Sequence, residues 1–376
     1  MLKVTWTQVA AWRVRRHYLE QRAPASEILA VASRLCGLHA QVFSSAELTL
    51  WARVEGLERG AVQRAVWEDR KLVKTWAMRG TLHLLPAAEL HLWHAALATS
   101  RRYLSPTRWE KHFGITIEDL ERLTDAIGQV LDGQVMTRQE LADAVGRITR
   151  SVQLGAKLAE GSWGTILKPA AFAGNLCFAP SLGQLVRFTR PASWCALKAR
   201  RPDSQKATTE VTRRYLSAYG PATYRDLARW WGSGMSIGRQ WITAMGGQAT
   251  AVDLEGSCAW ALADDLRELR EIEPVRSLRL LPAFDQYVIG ASPHATHLLP
   301  GDLRARVYRP QGWVSPVLLV NGRMQGVWRH VLRASRVEVS IEPFMKLPKW
   351  ARSLTEQEAE RLAAFFGGKL SLRWEG

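Results

Sequence analysis

His39 and Gln41 stand two residues apart in the stretch Leu38-His39-Ala40-Gln41-Val42-Phe43. In an extended backbone, side chains at i and i+2 point the same way, about 6–7 Å apart. The spacing therefore puts an imidazole and an amide on one face and leaves Leu38, Ala40 and Val42 to anchor the other. On a helix the same pair would diverge. An imidazole accepts a proton near neutral pH, and an amide both donates and accepts hydrogen bonds. Together they can hold and activate a water, which is enough chemistry where the leaving group departs readily. The spacing by itself is also that of ordinary polar contacts. Asp285, in PAFDQY, is the rival catalytic carboxylate, although its place after a strand equally suits an Asp that caps a turn. His91/His94 and His294/His297 have HxxH spacing without an evident third ligand, so no metal and no cofactor is expected.

The elements that must position this pair follow from local signals. Apolar periodicity gives a helix near 7–20 and another from Ser26 to about Cys36, with Gly37 as its left-handed stop. Ser44 and Glu47 have capping-box spacing, predicting a helix through about Arg53, and a further helix follows near 58–69. KLVKTWAMRG and TLHLLP then read as strands turning at Arg79-Gly80. A second copy of this pattern has helices near 116–132, after Thr137, and from after Gly161 to before Asn175, then the strand pair LCFAP…GQLVRFTR. A third has helices near 205–219, from Pro221 through ATYRDLARWW, and near 236–245, with strands at 248–254 and 258–263. Helices followed by a β-hairpin are the sequence form of a winged helix. From about 275 the texture changes: LRLLPAFDQYVIG, RARVYR, WVSPVLLVNGRMQGVWRHVLR and RVEVSIEPF read as strands, with a helix at 355–366 and a last strand, KLSLRW. The expected fold is α+β: three tandem winged-helix (helix-turn-helix) units over 1–110, 111–200 and 201–270, then a separate C-terminal β-rich unit over 271–376.

Composition points to the same partner. The 376 residues carry 51 Lys and Arg against 35 Asp and Glu, a net charge of +16. Such a surplus favours a polyanion, because each neutralised phosphate releases condensed counterions. On the hairpins and beside them, Trp76, Arg79, Thr81, His83, Lys168, Arg187 and Arg190 are the candidate DNA contacts. Trp12, Trp230 and Trp231, among 17 tryptophans, sit in helical patterns and read as core, leaving base stacking open for one or two of the others. The four cysteines are scattered without a CxxC, as fits a reducing compartment. The start, MLKVTWTQVAAWRVRRHYLE, turns polar and basic too soon for a signal peptide, and the uncharged run from Pro169 to Val186 is too broken to span a membrane. A soluble cytoplasmic monomer is expected.

GLHAQ at 37–41, MRGTLHLL at 78–85, LLPAFDQY at 280–287 and WVSPVLLVNGRMQGVW at 313–328 resemble, in this order, the AlkZ-like family of DNA glycosylases, relatives of the YcaQ proteins. The resemblance extends over essentially the whole chain. It implies that the tandem winged helices and a barrel-like C-terminal unit form a curved DNA-binding channel on double-stranded DNA containing alkylated purines, and that the protein performs monofunctional excision of N7-alkylguanine in base excision repair. In some members it also implies unhooking of interstrand crosslinks and self-resistance to a DNA-alkylating natural product. N7 alkylation makes the purine cationic and already a good leaving group, so a positioned water and stabilisation of the developing oxocarbenium charge suffice. The family signature is Gln, an aliphatic residue, then Gln. Gln41 falls on its second position, while His39 replaces the first Gln and is either the base or an orienting group. The competing expectation is a non-catalytic winged-helix regulator, which predicts a dimer on palindromic sites.

Overall fold

Several helix starts in this chain are set by side-chain caps. In the computed structural model, which describes residues 1–99, 106–160, 164–197, 202–274 and 276–375, Thr5 and Gln8 form a capping box that opens the Trp6–Arg16 helix. Thr137 and Glu140 do the same for Arg138–Thr149, and the Thr116 hydroxyl caps Ile117–Val130. The architecture is α+β, and the chain divides into two compact units. One is Met1–Val62 with Thr212–Trp230 and Gly234–Gly376; the other is Gln63–Val211 with Trp231–Ser233.

In the first unit an unforeseen N-terminal strand, Leu2–Val4, lies parallel to Ala249–Leu254, which pairs antiparallel with Ser257–Leu262. Val4, Val9, Trp12, Val252, Leu254, Leu269 and Ile272 close a core beneath this sheet. Five further strands, Leu278–Leu281, Val317–Val320, Arg323–Leu332, Arg336–Pro343 and Lys369–Trp374, form one sheet in sequence order. The first four are antiparallel and the last runs parallel to its neighbour. As described, this sheet is open, with an edge strand at each end. Asn321-Gly322, both at positive φ, make the two-residue turn between its second and third strands. Val337, Val339 and Ile341 alternate inward, and the helix Lys349–Phe366, six residues longer at its start than its sequence pattern suggests, packs on the sheet through Ala351, Ala359 and Leu362.

Two expected strands here are helical. RARVYR contributes a single turn, Arg304–Val307, because four residues are too few for alternation to decide and a 3-10 turn at Gly301–Leu303 feeds directly into it. Within LRLLPAFDQYVIG only Leu278–Leu281 is a strand. Asp285 then caps Tyr287 N at 2.8 Å and opens the short helix Gln286–Gly290.

In the second unit Leu72–Trp76 and Leu82–Pro86 form an antiparallel hairpin. Helices Ile117–Val130, Arg138–Thr149 and Val152–Glu160 accompany a three-stranded sheet in which Leu185–Thr189 lies between Met136–Thr137 and Cys177–Leu182. Two of these helices meet closely at Gly155, where a Cβ would lie 2.8 Å from the Ala142 carbonyl oxygen. The helix expected from Gly161 appears as a 3-10 turn and Lys168–Phe172, while Gly161 itself lies outside the described residues. Among the described residues no helix is long and apolar enough to cross a membrane.

Candidate active site

The segment that carries His39 begins where a helix is forced to stop. After Ile28–Arg34, Cys36 N donates to Ser33 O and Gly37 N to Ala32 O, a Schellman closure. Its left-handed residue is Cys36 at φ 59°, with Gly37 following at φ 92°. The chain leaves this turn as a two-residue strand, Leu38–His39, bends at Gln41-Val42, and re-enters a helix at Phe43. The helix therefore starts one residue before the expected Ser44 cap. Val42 is its N-cap residue, Ser44 lies in its first turn, and Glu47 instead accepts a hydrogen bond from Gly60 N at 3.2 Å. Leu38 and Ala40 are fully buried, His39 retains 7% exposure, and Gln41 is exposed. Gln41 thus stands at the surface, while His39 keeps only a small exposed part.

The motif LLPAFDQY supplies the floor of this site, with one task for each of its last four residues. Phe284 lies against the His39 ring, centroids 5.1 Å apart and planes 23° from parallel. Asp285 is fully buried and meets the equally buried Arg53 in two hydrogen bonds of 2.7 Å. Gln286 donates from Nε2 to the Gly37 carbonyl, immediately before the Leu38–His39 strand. Tyr287 donates to Gly322 O at 2.9 Å, where the φ of 75° and the absence of a Cβ let the turn approach: a Cβ there would sit 3.0 Å from the Tyr287 hydroxyl. Tyr219 donates to Leu35 O at 2.8 Å, and Trp328 Nε1 to Leu281 O at 2.8 Å. The His39–Gln41 segment is thereby fixed at its entry and its floor. Asp285, the rival carboxylate, has its oxygens committed to Arg53 and Tyr287 N and presents no surface to a substrate.

A second feature of this unit has no counterpart in the sequence reading. Arg34, Arg213 and Arg214, with Tyr18, Ala30, Ser33 and Ser217, line a cavity of about 310 Å³ whose lining contains no carboxylate. Arg34 donates to the Ser217 hydroxyl at 2.7 Å and Arg214 to that of Ser33 at 3.4 Å. Arg34 lies five residues before His39. Its only sequence signal is an Arg at a helix end; the pairing with Arg213-Arg214, far along the chain, is tertiary. His294 and His297 line another cavity, of about 410 Å³, with Trp6, Arg13 and Asp226. Burial, followed by the Arg13 charge, pushes the His297 pKa down to about 3, and its ring stacks on Trp6 at 3.3 Å. Among the described residues no group of three or more His, Cys, Asp or Glu side chains is arranged to hold a metal ion.

The remaining candidates lie in the second unit. Arg79 sits at the hairpin turn with φ 58°, a left-handed conformation uncommon outside glycine, and is half-buried beside Thr81. Trp76 packs against Phe178 and Phe188 at 4.8 and 6.4 Å, and His83 is buried with Nδ1 3.0 Å from Thr81 O. Of the four candidates on this hairpin, Arg79 and Thr81 alone keep partial exposure. Lys168 is half-buried at the start of its helix, Arg187 donates to Pro180 O at 2.7 Å, and Arg190 pairs with Asp132 at 3.0 Å. Trp12, Trp230 and Trp231 are buried.

A helix-rich α+β chain with hairpins and a net charge of +16 fits a protein that acts on nucleic acid. Comparison with known proteins makes this specific. The family described as DNA glycosylase AlkZ-like matches residues 32–365, so the chain belongs to the AlkZ-like DNA glycosylase family and is a DNA N-glycosylase acting on DNA, not a non-catalytic regulator. It is 38% identical over 370 residues to an interstrand DNA cross-link repair glycosylase of Streptomyces sahachiroi, covering 97% of this chain and 98% of the relative. The solved structure of Streptomyces sahachiroi DNA glycosylase AlkZ superposes with a TM-score of 0.91 at 37% identity, covering the whole of both chains.

Proposed function

We propose that this protein hydrolyses the N-glycosidic bond of N7-alkylated guanine in duplex DNA, with Gln41 holding the attacking water and His39 accepting its proton. The supporting observation is the placement of the pair: an exposed amide and, two residues before it, a largely buried imidazole, on a segment tied at Gly37 and Leu35 with Phe284 against the imidazole. Cleavage of a cationic purine moves positive charge from base to sugar and needs no acid on the leaving group. Three winged-helix units present the duplex, with Arg79, Thr81, Lys168, Arg187 and Arg190 on backbone phosphates and sugars, and the open five-stranded sheet is the core of the barrel-like C-terminal unit. The Arg34, Arg213 and Arg214 cluster holds a further phosphate.

The cross-link repair activity named for the 38% identical relative supports crosslinked guanine as a substrate here too, in base excision repair and in self-resistance to a DNA-alkylating natural product. The test is base release, without strand cleavage, from duplexes containing N7-methylguanine, a bulky N7 adduct, an N7–N7 crosslink or unmodified guanine. Release from the three alkylated duplexes alone is the expected outcome. Equal release of unmodified guanine would contradict the role assigned to the cationic leaving group.

A further inference from the structure

Trp313 is the only tryptophan among the exposed large hydrophobics of the described residues, at 47% exposure. It sits on a tight turn, with its amide donating to Pro310 O at 3.3 Å and its carbonyl accepting from Arg309 N at 2.8 Å. Gln311 and Gly312 supply the two positive φ angles, 59° and 76°, that this turn requires. The indole meets Phe284 edge to face, centroids 5.0 Å apart, and Phe284 in turn lies 5.1 Å from the His39 ring. Phe284 itself is held at φ 57°, where a bulky residue is a genuine outlier, between the buried Asp285–Arg53 pair and the strand that ends at Leu281. An aromatic series therefore runs from the buried imidazole to solvent, and its outer member leaves a large part of its surface uncovered. The two ring contacts place the indole within about 10 Å of His39, or about three steps along a stacked strand.

We propose that Trp313 is a stacking platform for a nucleobase flanking the lesion, which sets the register of the damaged nucleotide over His39 and Gln41. Every base has a π face, so an indole can serve this purpose without sequence preference. A flanking base fits better than the leaving purine. A platform under the cationic purine would stabilise it most before the bond breaks, when the positive charge is on the base, and so would oppose the reaction. Phe284 is then a positioning residue shared by platform and imidazole. This inference rests on the placement of the reacting centre at His39 and Gln41.

The test uses the full-length protein and a duplex with a tetrahydrofuran abasic analogue flanked on either side by 2-aminopurine, whose fluorescence reports stacking. Wild type is expected to shift the 2-aminopurine signal on binding. Trp313→Ala is expected to lose that shift and bind about 5- to 150-fold more weakly, with an unchanged salt slope because no phosphate contact is lost. Trp313→Phe keeps a ring for both the base and Phe284 and restores most of the signal and affinity. Thermal melting of both variants tracks the fold. An identical 2-aminopurine shift in wild type and Trp313→Ala overturns the proposal. So does a loss in Trp313→Ala that follows melting rather than the fluorescence. Neither readout requires base excision, so failure of the His39–Gln41 chemistry shows itself separately, as inactive turnover or as release undiminished by their substitution.

Discussion

Replacing Asp285 with Asn separates a structural carboxylate from a catalytic one. Asp285 and Arg53 are both fully buried and joined by two 2.7 Å bonds, while Arg53 also donates to Thr49 O at 2.9 Å. The amide keeps a cap for Tyr287 N but strands a guanidinium without its counter-charge. Breaking a buried pair on one side destabilises by about 3–5 kcal/mol. At roughly 2–4 °C per kcal/mol for a unit of this size, the melting temperature is expected to fall by about 6–20 °C. The floor under His39 moves with it, since Phe284 and Gln286 flank Asp285. Combining Asp285→Asn with Arg53→Met removes both charges and is expected to recover most of the stability and, with it, base release. The assay is thermal melting together with single-turnover excision on each of the four proteins of the cycle. A single variant that melts within about 1 °C of wild type yet loses about a hundredfold in excision would refute the structural assignment and make Asp285 a participant in the chemistry.

Two further outcomes are expected. Arg213 is exposed at the basic cavity, so Arg213→Gln should leave melting unchanged and lower the slope of log K against log salt by about 0.9, the loss of one phosphate contact; fluorescence anisotropy on undamaged duplex checks this, and an unchanged slope removes the cluster from the DNA interface. His17 is fully buried with Nε2 3.0 Å from Ala218 O, and burial, then the nearby Arg53 charge, holds its pKa well below 6.5. Below about pH 6.5 the unfolded chain therefore binds the extra proton and stability declines by up to about 1.4 kcal/mol per pH unit. Urea unfolding of His17→Asn between pH 6.5 and 5 should show a correspondingly flatter dependence, and parallel curves would count against a neutral buried imidazole.

Much of this architecture is legible in the sequence because it is local. Thr137 announces its helix through a capping box, Asn321-Gly322 announces its hairpin, and alternation in Arg336–Pro343 announces a half-buried strand. The local signals fail where tertiary contacts override them. Ser44 and Glu47 have the right spacing for a cap, but Glu47 is drawn to Gly60 N and the helix opens at Phe43. Cys36, not Gly37, takes the first left-handed position, because the closure to Ser33 O and Ala32 O decides the register. The N-terminal strand has too few residues to show a period and is defined by its partner 250 positions away, Leu2 against Val252. At the candidate site, spacing singled out His39 and Gln41 without revealing that the imidazole is largely buried and the amide exposed. Phe284, Arg53, Gln286 and Trp313 are brought there only by folding, and the PAFDQY string gives no hint that each side chain has a separate partner.

The decisive measurement is single-turnover release of N7-methylguanine from duplex DNA by wild type, His39→Ala and Gln41→Ala, with the affinity of each for an abasic-analogue duplex determined in parallel. Loss of a positioned catalytic group is expected to slow release by about 10²–10⁴-fold in each variant while binding stays near that of wild type. Equal rates for all three proteins would place the chemistry elsewhere on the chain.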